Sequence, residues 1–324
     1  MEITVLMSVY NSDQYLAKSI NSVLAQTYKE FEFIIIDDGS TDQSIEICKG
    51  FAEGDSRILF IENGKNLGLP KSLNKGIKLA KGNYIARQDA DDYSAPNRLE
   101  LQLKYAKENP KADLIGSDCY VVDLNDDVVY QDISFSACTN HRDSLLKHRA
   151  IFPHGSAFIK KEKLLQVGLY DTRFYYVQDG ELWLRMISEN AVIHVIEALL
   201  YYYRVGPNGS IKRNTAKRMF NNVLRMKYAE NNKTDVVDRE LESINAYLTN
   251  CKAAMKPYFM ADYWRSLGNA SYLLNSDKRL PYTYINKAIS ETNSPMSYPK
   301  YLLLKTVYLL PSSLVKKCLK FKGA

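Results

Sequence analysis

Short runs of β-branched, aromatic and aliphatic residues, separated by longer stretches of helical period, dominate the chain as far as Val122. The runs are Ile3 to Val9, Phe31 to Ile36, Arg57 to Ile61, Tyr84 to Arg87 and Leu114 to Val122. They are short enough for strands, and the segments between them are long enough for helices. The pattern therefore predicts parallel strands joined by right-handed helical crossovers. Between the first two runs Tyr15, Leu16, Ile20, Val23 and Leu24 recur at helical spacing, with Ser12 or Asp13 as the cap. A third helix is expected from Leu69-Pro70, where proline suits the first turn, to Lys81-Gly82, where glycine suits the stop. The class expected is an open α/β sheet.

Ligands of such sheets bind outside the carboxyl ends of the strands. In this chain the first run ends in Tyr10-Asn11, the second in Asp37-Asp38-Gly39-Ser40, the third in Asn63-Gly64-Lys65-Asn66 and the fourth in Asp89-Ala90-Asp91-Asp92. Polar and acidic residues thus converge on one sheet edge. Three carboxylates in four residues repel one another unless a cation or hydrogen-bond donors compensate. Oxygen-only ligands with positions left for water and diphosphate suit Mg²⁺ or Mn²⁺. The simpler alternative is a solvated acidic turn in which Asp91 or Asp92 caps the next helix. Gly39 permits a tight turn that exposes a carboxylate able to accept hydrogen bonds from a base or ribose. Alternatively, Ser40, Thr41 or Asp42 merely caps the following helix.

At 324 residues the chain is long for one compact domain, and about two units are expected. The character changes near Asn214 to long helical stretches rich in Tyr, broken at Pro257, Pro281, Pro295, Pro299 and Pro311. This divides the chain into an α/β region over 1–213 and a helical region over 214–324. Trp264, Leu267, Gly268, Tyr284 and Ala288 partly match a tetratricopeptide spacing, but one imperfect copy is weak support for a repeat array. A content of 46% hydrophobic and 25% charged residues excludes a disordered or fibrous chain.

Five scattered cysteines, never two or three residues apart, point to neither a disulfide framework nor a zinc cluster, and fit a reducing cytoplasm. The N-terminus lacks a basic stretch and reads as a strand rather than a signal peptide. The longest later apolar stretch, Tyr301 to Leu310, contains Lys305 and falls short of the roughly 20 residues a spanning helix needs. The net charge of +6, from 43 basic and 37 acidic residues, lies wholly in the tail. Lys300, Lys305, Lys316, Lys317, Lys320 and Lys322 follow the last acidic residue, Glu291. Beside Leu302, Leu303, Leu304 and Leu309 these cations, over 300–322, suit the anionic inner face of a cell membrane, or else the solvated end of a packed terminal helix. No nucleic-acid partner is expected.

The sequence resembles family 2 glycosyltransferases over roughly residues 1 to 213. The resemblance rests on Ser8-Val9-Tyr10-Asn11, Ile34-Ile35-Ile36-Asp37-Asp38-Gly39-Ser40-Thr41-Asp42, Asn66-Leu67-Gly68-Leu69 and Ser72-Leu73-Asn74. It continues through Gly82 to Asp92, Pro96-Asn97-Arg98-Leu99, His154-Gly155-Ser156 and Asp179-Gly180-Glu181-Leu182-Trp183-Leu184-Arg185. It implies a Rossmann-like open, mostly parallel sheet, the A-type nucleotide-sugar fold, and transfer of a sugar from a nucleotide donor to an acceptor hydroxyl.

By that resemblance Ser8, Tyr10, Asn11, Asp38 and Asn66 belong to the nucleotide-sugar site, usually for a uridine diphosphate sugar, and Asp89 or Asp91 reaches the ribose. The D-x-D pattern makes Asp91 the metal ligand, with Asp92 as the rival register. Asp179 corresponds to the general base that takes the acceptor's proton, so that the anomeric centre inverts. Most relatives carry Glu before this Asp, whereas Gln178 stands here, removing one negative charge. His154, Arg204, Lys212 and Arg213 are candidate donors to the departing diphosphate, with His154 equally readable as a satisfied structural histidine. Arg87 is either part of the donor site or a salt-bridge partner of the acidic run. Gly206-Pro207-Asn208-Gly209-Ser210 has the composition of a closing loop.

The acceptor expected is a glycan or lipid-linked glycan of a bacterial-type surface polysaccharide. A nucleotidyltransferase is disfavoured because no Gly-rich phosphate loop lies near the N-terminus, and a processive synthase because Trp264-Arg265 lacks the Q-x-x-R-W context. A non-catalytic binding protein would have no use for Asp38, Asp91 and Asp179 together.

Overall fold

The computed structural model describes residues 1–206, 211–230, 234–250, 267 and 280–290. The strands are β1 (Ile3–Val9), β2 (Phe31–Asp37), β3 (Ile58–Glu62), β4 (Tyr84–Asp89), β5 (Tyr93–Ser94), β6 (Ala112–Val122), β7 (Val128–Asp132), β8 (Phe158–Lys160) and β9 (Val192–Arg204). The helices are α1 (Asp13–Leu24), α2 (Ser44–Gly54), α3 (Leu69–Leu79), α4 (Arg98–Glu108), α5 (His141–Leu146), α6 (Lys161–Gln166), α7 (Gln178–Ser188), α8 (Ile211–Tyr228), α9 (Thr234–Asn250) and α10 (Leu280–Ser290).

One sheet runs in the order β3-β2-β1-β4-β8-β6-β9-β5, with β7 paired to β6. The first four strands are parallel, as the alternation of apolar runs and helical segments predicts. The fifth expected strand, now β6, does not pair with them directly, because β8 is inserted antiparallel between β4 and β6. Two antiparallel steps return β6 to the direction of β4. The three-residue β8 is too short to show a period of its own, so this insertion is a product of tertiary pairing.

Strand alternation divides the apolar residues between two faces. Ile3, Val5, Met7 and Val9 of β1 join Phe33 and Ile35 of β2 in a core closed by Leu16 and Ile20 of α1, Cys48 of α2 and Leu99 and Leu103 of α4. Leu6 of β1 and Ile34 and Ile36 of β2 point the other way, against Leu73 and Ile77 of α3. That second core continues through Leu182 and Trp183 of α7 to Phe220 and Leu224 of α8 and Val237 and Leu241 of α9. Each of these large aliphatic or aromatic side chains contributes about 1.5–3 kcal/mol on burial. Helix α1 is not capped by its own Ser12; instead Asp42, from the loop after β2, accepts the Asp13 amide at 3.1 Å and also the Ser44 amide at 3.0 Å.

The chain forms two compact units. The first comprises Met1–Cys119, Ile133–Tyr203 and Thr215–Cys251. The second, among the described residues, comprises Tyr120–Asp132, 204–206, 211–214, 267 and Leu280–Ser290. Among the described residues no helix is long and apolar enough to cross a membrane. The tail over 300–322, the loop over 207–210, the side chains of Lys212 and Arg213, and Trp264 and Gly268 lie outside the described residues.

Candidate active site

The parallel register brings Ser8 of β1 beside Ile36 of β2 and Asp89 of β4, so the first, second and fourth strand ends form one ledge. Tyr10 is 49% exposed just past β1. Asn11 follows with a positive φ of 48°, a conformation asparagine tolerates better than most residues. Its amide N–H donates to Ser40 Oγ at 3.0 Å, and its Oδ1 accepts the Thr41 N–H at 2.8 Å. The loops after β1 and β2 are thereby stapled together, which gives Asn11 a structural task at the rim of the ledge.

Asp38 is placed differently from a free ligand-binding carboxylate. It is 2% exposed. Its Oδ1 accepts from Asn63 Nδ2 at 2.9 Å, the Leu67 N–H at 3.0 Å and Ser72 Oγ at 2.8 Å, and its Oδ2 accepts the Gly68 N–H at 2.9 Å. An ionised carboxyl has about four lone-pair sites, two on each oxygen; three protein donors crowd Oδ1 and one engages Oδ2. Asp38 therefore ties the 63–68 loop and the start of α3 to β2. Gly39 makes the approach possible: with φ +80°, its missing Cβ would stand within 2.7 Å of the Lys65 backbone. Asn66 is exposed at the tip of that loop. The adjacent Asp37 binds the Gly39 and Ser40 amides through Oδ2 at 2.9 and 3.1 Å, while its buried Oδ1 has no partner among the described residues.

The acidic run splits three ways. Asp89 is partly buried and paired with the fully buried Arg87. Burial opposes ionisation of Asp89, but the charge of the adjoining Arg87 holds its carboxyl below the usual range. Asp91 is exposed, whereas Asp92 is only 2% exposed. Beneath them Gln88 gathers the backbone of the run, its Nε2 donating to the Asp89 and Asp92 carbonyls at 3.1 and 3.2 Å. Arg98, fully buried, donates to Gln88 Oε1 at 3.2 Å, Ser94 Oγ at 3.0 Å and the Arg87 carbonyl at 2.8 Å. Its guanidinium lies 5.1 Å from the Tyr201 ring centroid. Burial pulls its pKa down to about 10, so it stays charged at neutral pH without a carboxylate in direct contact. The Tyr201 hydroxyl accepts the Asp89 N–H at 3.1 Å. A Cβ on Gly155 would collide with that hydroxyl, so glycine is required where the His154–Ser156 turn crosses β9.

Facing the run, His154 Nε2 and the Tyr170 hydroxyl lie 2.8 Å apart. Asn74 fixes the Tyr170 backbone through paired bonds of 2.8 and 2.9 Å. Burial, then the charge of Arg87, lowers His154 to about 4, so the imidazole is neutral at pH 7. It serves as a hydrogen-bonding group rather than a cation for phosphate. The negative charges of Asp89 and Asp179 both favour the protonated forms of His154 and Tyr170. Asp179 lies in the first turn of α7, its Oδ1 accepting the Gly180 N–H at 2.8 Å. Val177, just before α7, has φ +54°, a left-handed conformation that costs a residue of this kind on the order of 1–3 kcal/mol.

The helix is anchored two residues beyond Asp179. Glu181 is fully buried and accepts from Arg185 Nη2 at 2.7 Å, Lys227 Nζ at 2.9 Å and the Tyr228 hydroxyl at 2.7 Å. Helix α8 thereby holds the helix that carries Asp179. Arg204, expected near the diphosphate, belongs to the second unit, where it pairs with Asp126 and donates to the Asp123 carbonyl at 2.8 Å. The roles of Gln88, Tyr170, Tyr201 and Glu181 have no signature in spacing. Gln88 and Glu181 do lie within segments that carry the family resemblance, and the alternation within Tyr201-Tyr202-Tyr203 sends Tyr201 inward.

Residues 4–168 match the family model described as glycosyl transferase family 2. The chain belongs to that family. An uncharacterized glycosyltransferase of Methanocaldococcus jannaschii is 35% identical over 210 residues, covering 64% of this chain and 71% of the relative. EpsE of Bacillus subtilis, which carries a provisional glycosyltransferase name, is 31% identical over 232 residues, covering 69% and 80%. This family member is therefore a glycosyltransferase, and its fold has solved counterparts. TarS of S. aureus, residues 1–349 in complex with UDP, superposes with a TM-score of 0.55 at 18% identity, covering 90% of this chain and 89% of that one. The mannosyltransferase PcManGT of Pyrobaculum calidifontis, in complex with GDP-Man and Mn²⁺, gives 0.54 at 17% identity, covering 97% and 86%. At these identities the likeness is one of fold.

Proposed function

We propose that this glycosyltransferase is an inverting, metal-dependent enzyme that moves a sugar from a UDP-sugar to an acceptor hydroxyl. The reading is supported by the ledge that sets Ser8 beside Asp89 at the strand ends, and by the His154–Tyr170 pair, on which the charges of both Asp89 and Asp179 act. A general base on one side and a diphosphate-binding edge on the other is the arrangement an in-line displacement needs.

In this reading Asp179 takes the proton from the acceptor hydroxyl as that oxygen bonds to the anomeric carbon. The bond from that carbon to the diphosphate oxygen breaks on the opposite face, and the centre inverts. Ser8, Tyr10 and Asn66 line the nucleotide end, Tyr10 with an exposed ring for the base. Asp38 acts there indirectly, by fixing the 63–68 loop. Arg87 belongs to the site as the group that keeps Asp89 ionised and in place.

Among the described residues no cluster of three or more metal-ligating side chains exists. That fits Mg²⁺ or Mn²⁺ held jointly with substrate phosphates, since Mg²⁺ in particular uses one or two carboxylates and keeps waters. Asp91, exposed, suits a ligand better than the buried Asp92. The ion would supply Lewis-acid stabilisation of the leaving diphosphate. The reading extends to a glycan or lipid-linked glycan acceptor for surface polysaccharide, met at the cytoplasmic face through the basic tail over 300–322.

Asp179→Asn tests the base. With Mn²⁺ and a panel of UDP-sugars, transfer is expected to fall by about 10²–10⁴-fold, while calorimetric UDP binding stays unchanged. Full transfer activity in Asp179→Asn would overturn the assignment.

A further inference from the structure

Side chains alternate across β9, and the alternation places three consecutive tyrosines in three settings. Tyr201 is buried with its hydroxyl on the Asp89 amide. Tyr202 turns away and stacks on Tyr93, with ring centroids 4.4 Å apart. Tyr203 returns to the side of Tyr201 at the end of the strand. The antiparallel ladder sets Tyr201 opposite Ser94 and Tyr202 opposite Tyr93, so Tyr203 follows where the partner strand leads back into the acidic run.

The Tyr203 ring is 38% exposed, and no described residue is hydrogen-bonded to its hydroxyl. A tyrosine hydroxyl, with an ordinary pKa near 10, carries its proton at neutral pH. It is thus a permanent O–H donor that adds no charge to a site already rich in carboxylates. Tyr203 stands at the end of β9, next to the β5–β9 ladder that begins one residue after the acidic run, and the charges of that run and of Asp179 both act on it. In the donor-site reading the unit being transferred lies between the diphosphate at that run and the base Asp179. An amphipathic phenol, with an apolar face and one polar tip, matches a pyranose, which has apolar C–H faces and a rim of hydroxyls.

We propose that Tyr203 contacts the transferred sugar of the donor, donating a hydrogen bond to one of its hydroxyls and covering part of its ring. This rests on the donor-site reading above, and the test separates the two.

Calorimetry with Mn²⁺ compares UDP with a set of UDP-hexoses on the wild type, Tyr203→Phe and Tyr203→Ala. Because UDP lacks the sugar, Tyr203→Phe is expected to leave UDP affinity unchanged and to weaken the preferred UDP-hexose roughly five- to tenfold, as loss of one hydrogen bond does. Tyr203→Ala, which also removes the ring, is expected to weaken the UDP-hexose further. Equal weakening of UDP and UDP-hexose, or no change in either, overturns the sugar contact and leaves the donor site standing. A wild type that binds neither UDP nor any UDP-hexose overturns the donor reading and the Tyr203 assignment with it. Should Tyr203→Ala fail to fold, Tyr203→Phe, which keeps the ring, carries the test.

Discussion

Replacing Asp38 separates a structural carboxylate from a ligand-binding one. In Asp38→Asn the amide oxygen can take the Oδ1 position and keep the bonds from Asn63, Leu67 and Ser72. The new NH₂ then meets the Gly68 N–H, which Oδ2 accepts at 2.9 Å in the wild type. One charge-assisted bond is lost and one buried N–H is left without an acceptor, which together cost about 2–3 kcal/mol. Asp38→Ala removes the acceptor for all four donors and is expected to cost about 4–5 kcal/mol, near the upper end for single substitutions. In a unit of this size each kcal/mol shifts Tm by roughly 2–4 °C, so the alanine variant should melt at least about 8 °C below the wild type and the asparagine variant between them. Thermal unfolding followed by circular dichroism measures this directly. If Asp38→Ala melts with the wild type yet loses nucleotide binding, Asp38 is a ligand contact and the reasoning from its four protein donors fails.

His154, Asp91 and Asp92 each give a further expected outcome. The folded-state pKa of His154, about 4, lies below the ordinary value near 6.5. Between those pH values the unfolded chain binds a proton that the folded chain does not, so stability is full above pH 6.5 and is lost as pH falls toward 4, by on the order of 2–3 kcal/mol. Urea unfolding from pH 4 to 7 should show that slope, and His154→Phe should flatten it; an equally steep slope in the variant would rule out His154 as its source. Asp91→Asn, at an exposed position, should leave stability within about 0.5 kcal/mol and weaken Mn²⁺-dependent UDP binding. Asp92→Asn, at a buried one, should lower Tm. Loss of metal dependence in Asp92→Asn alone would move the ligand to Asp92.

The parallel half of the sheet was legible in the sequence because each strand there is an apolar run bounded by a helical segment, and burial on both faces leaves that mark in composition. The antiparallel β8 was not, since a three-residue strand carries no period. In the same way the ledge could be read from where the runs end, but the task of each residue on it could not.

Residue type makes Asp38, Asp89, Asp91 and Asp92 equivalent in sequence. Only folding distinguishes them, by the donors each one meets: four for Asp38, a buried arginine for Asp89, exposure for Asp91 and burial for Asp92. Arg204 shows the same limit from the opposite sign, its charge being spent on Asp126 within the second unit. The amino-acid order determined the family, the open sheet and the sheet edge on which the polar strand ends gather, because strand and helix periods and short motifs are local. Tertiary structure decided which carboxylates are buried and bonded and which stay exposed, because solvent access and hydrogen-bond partners are set by segments far apart in the chain.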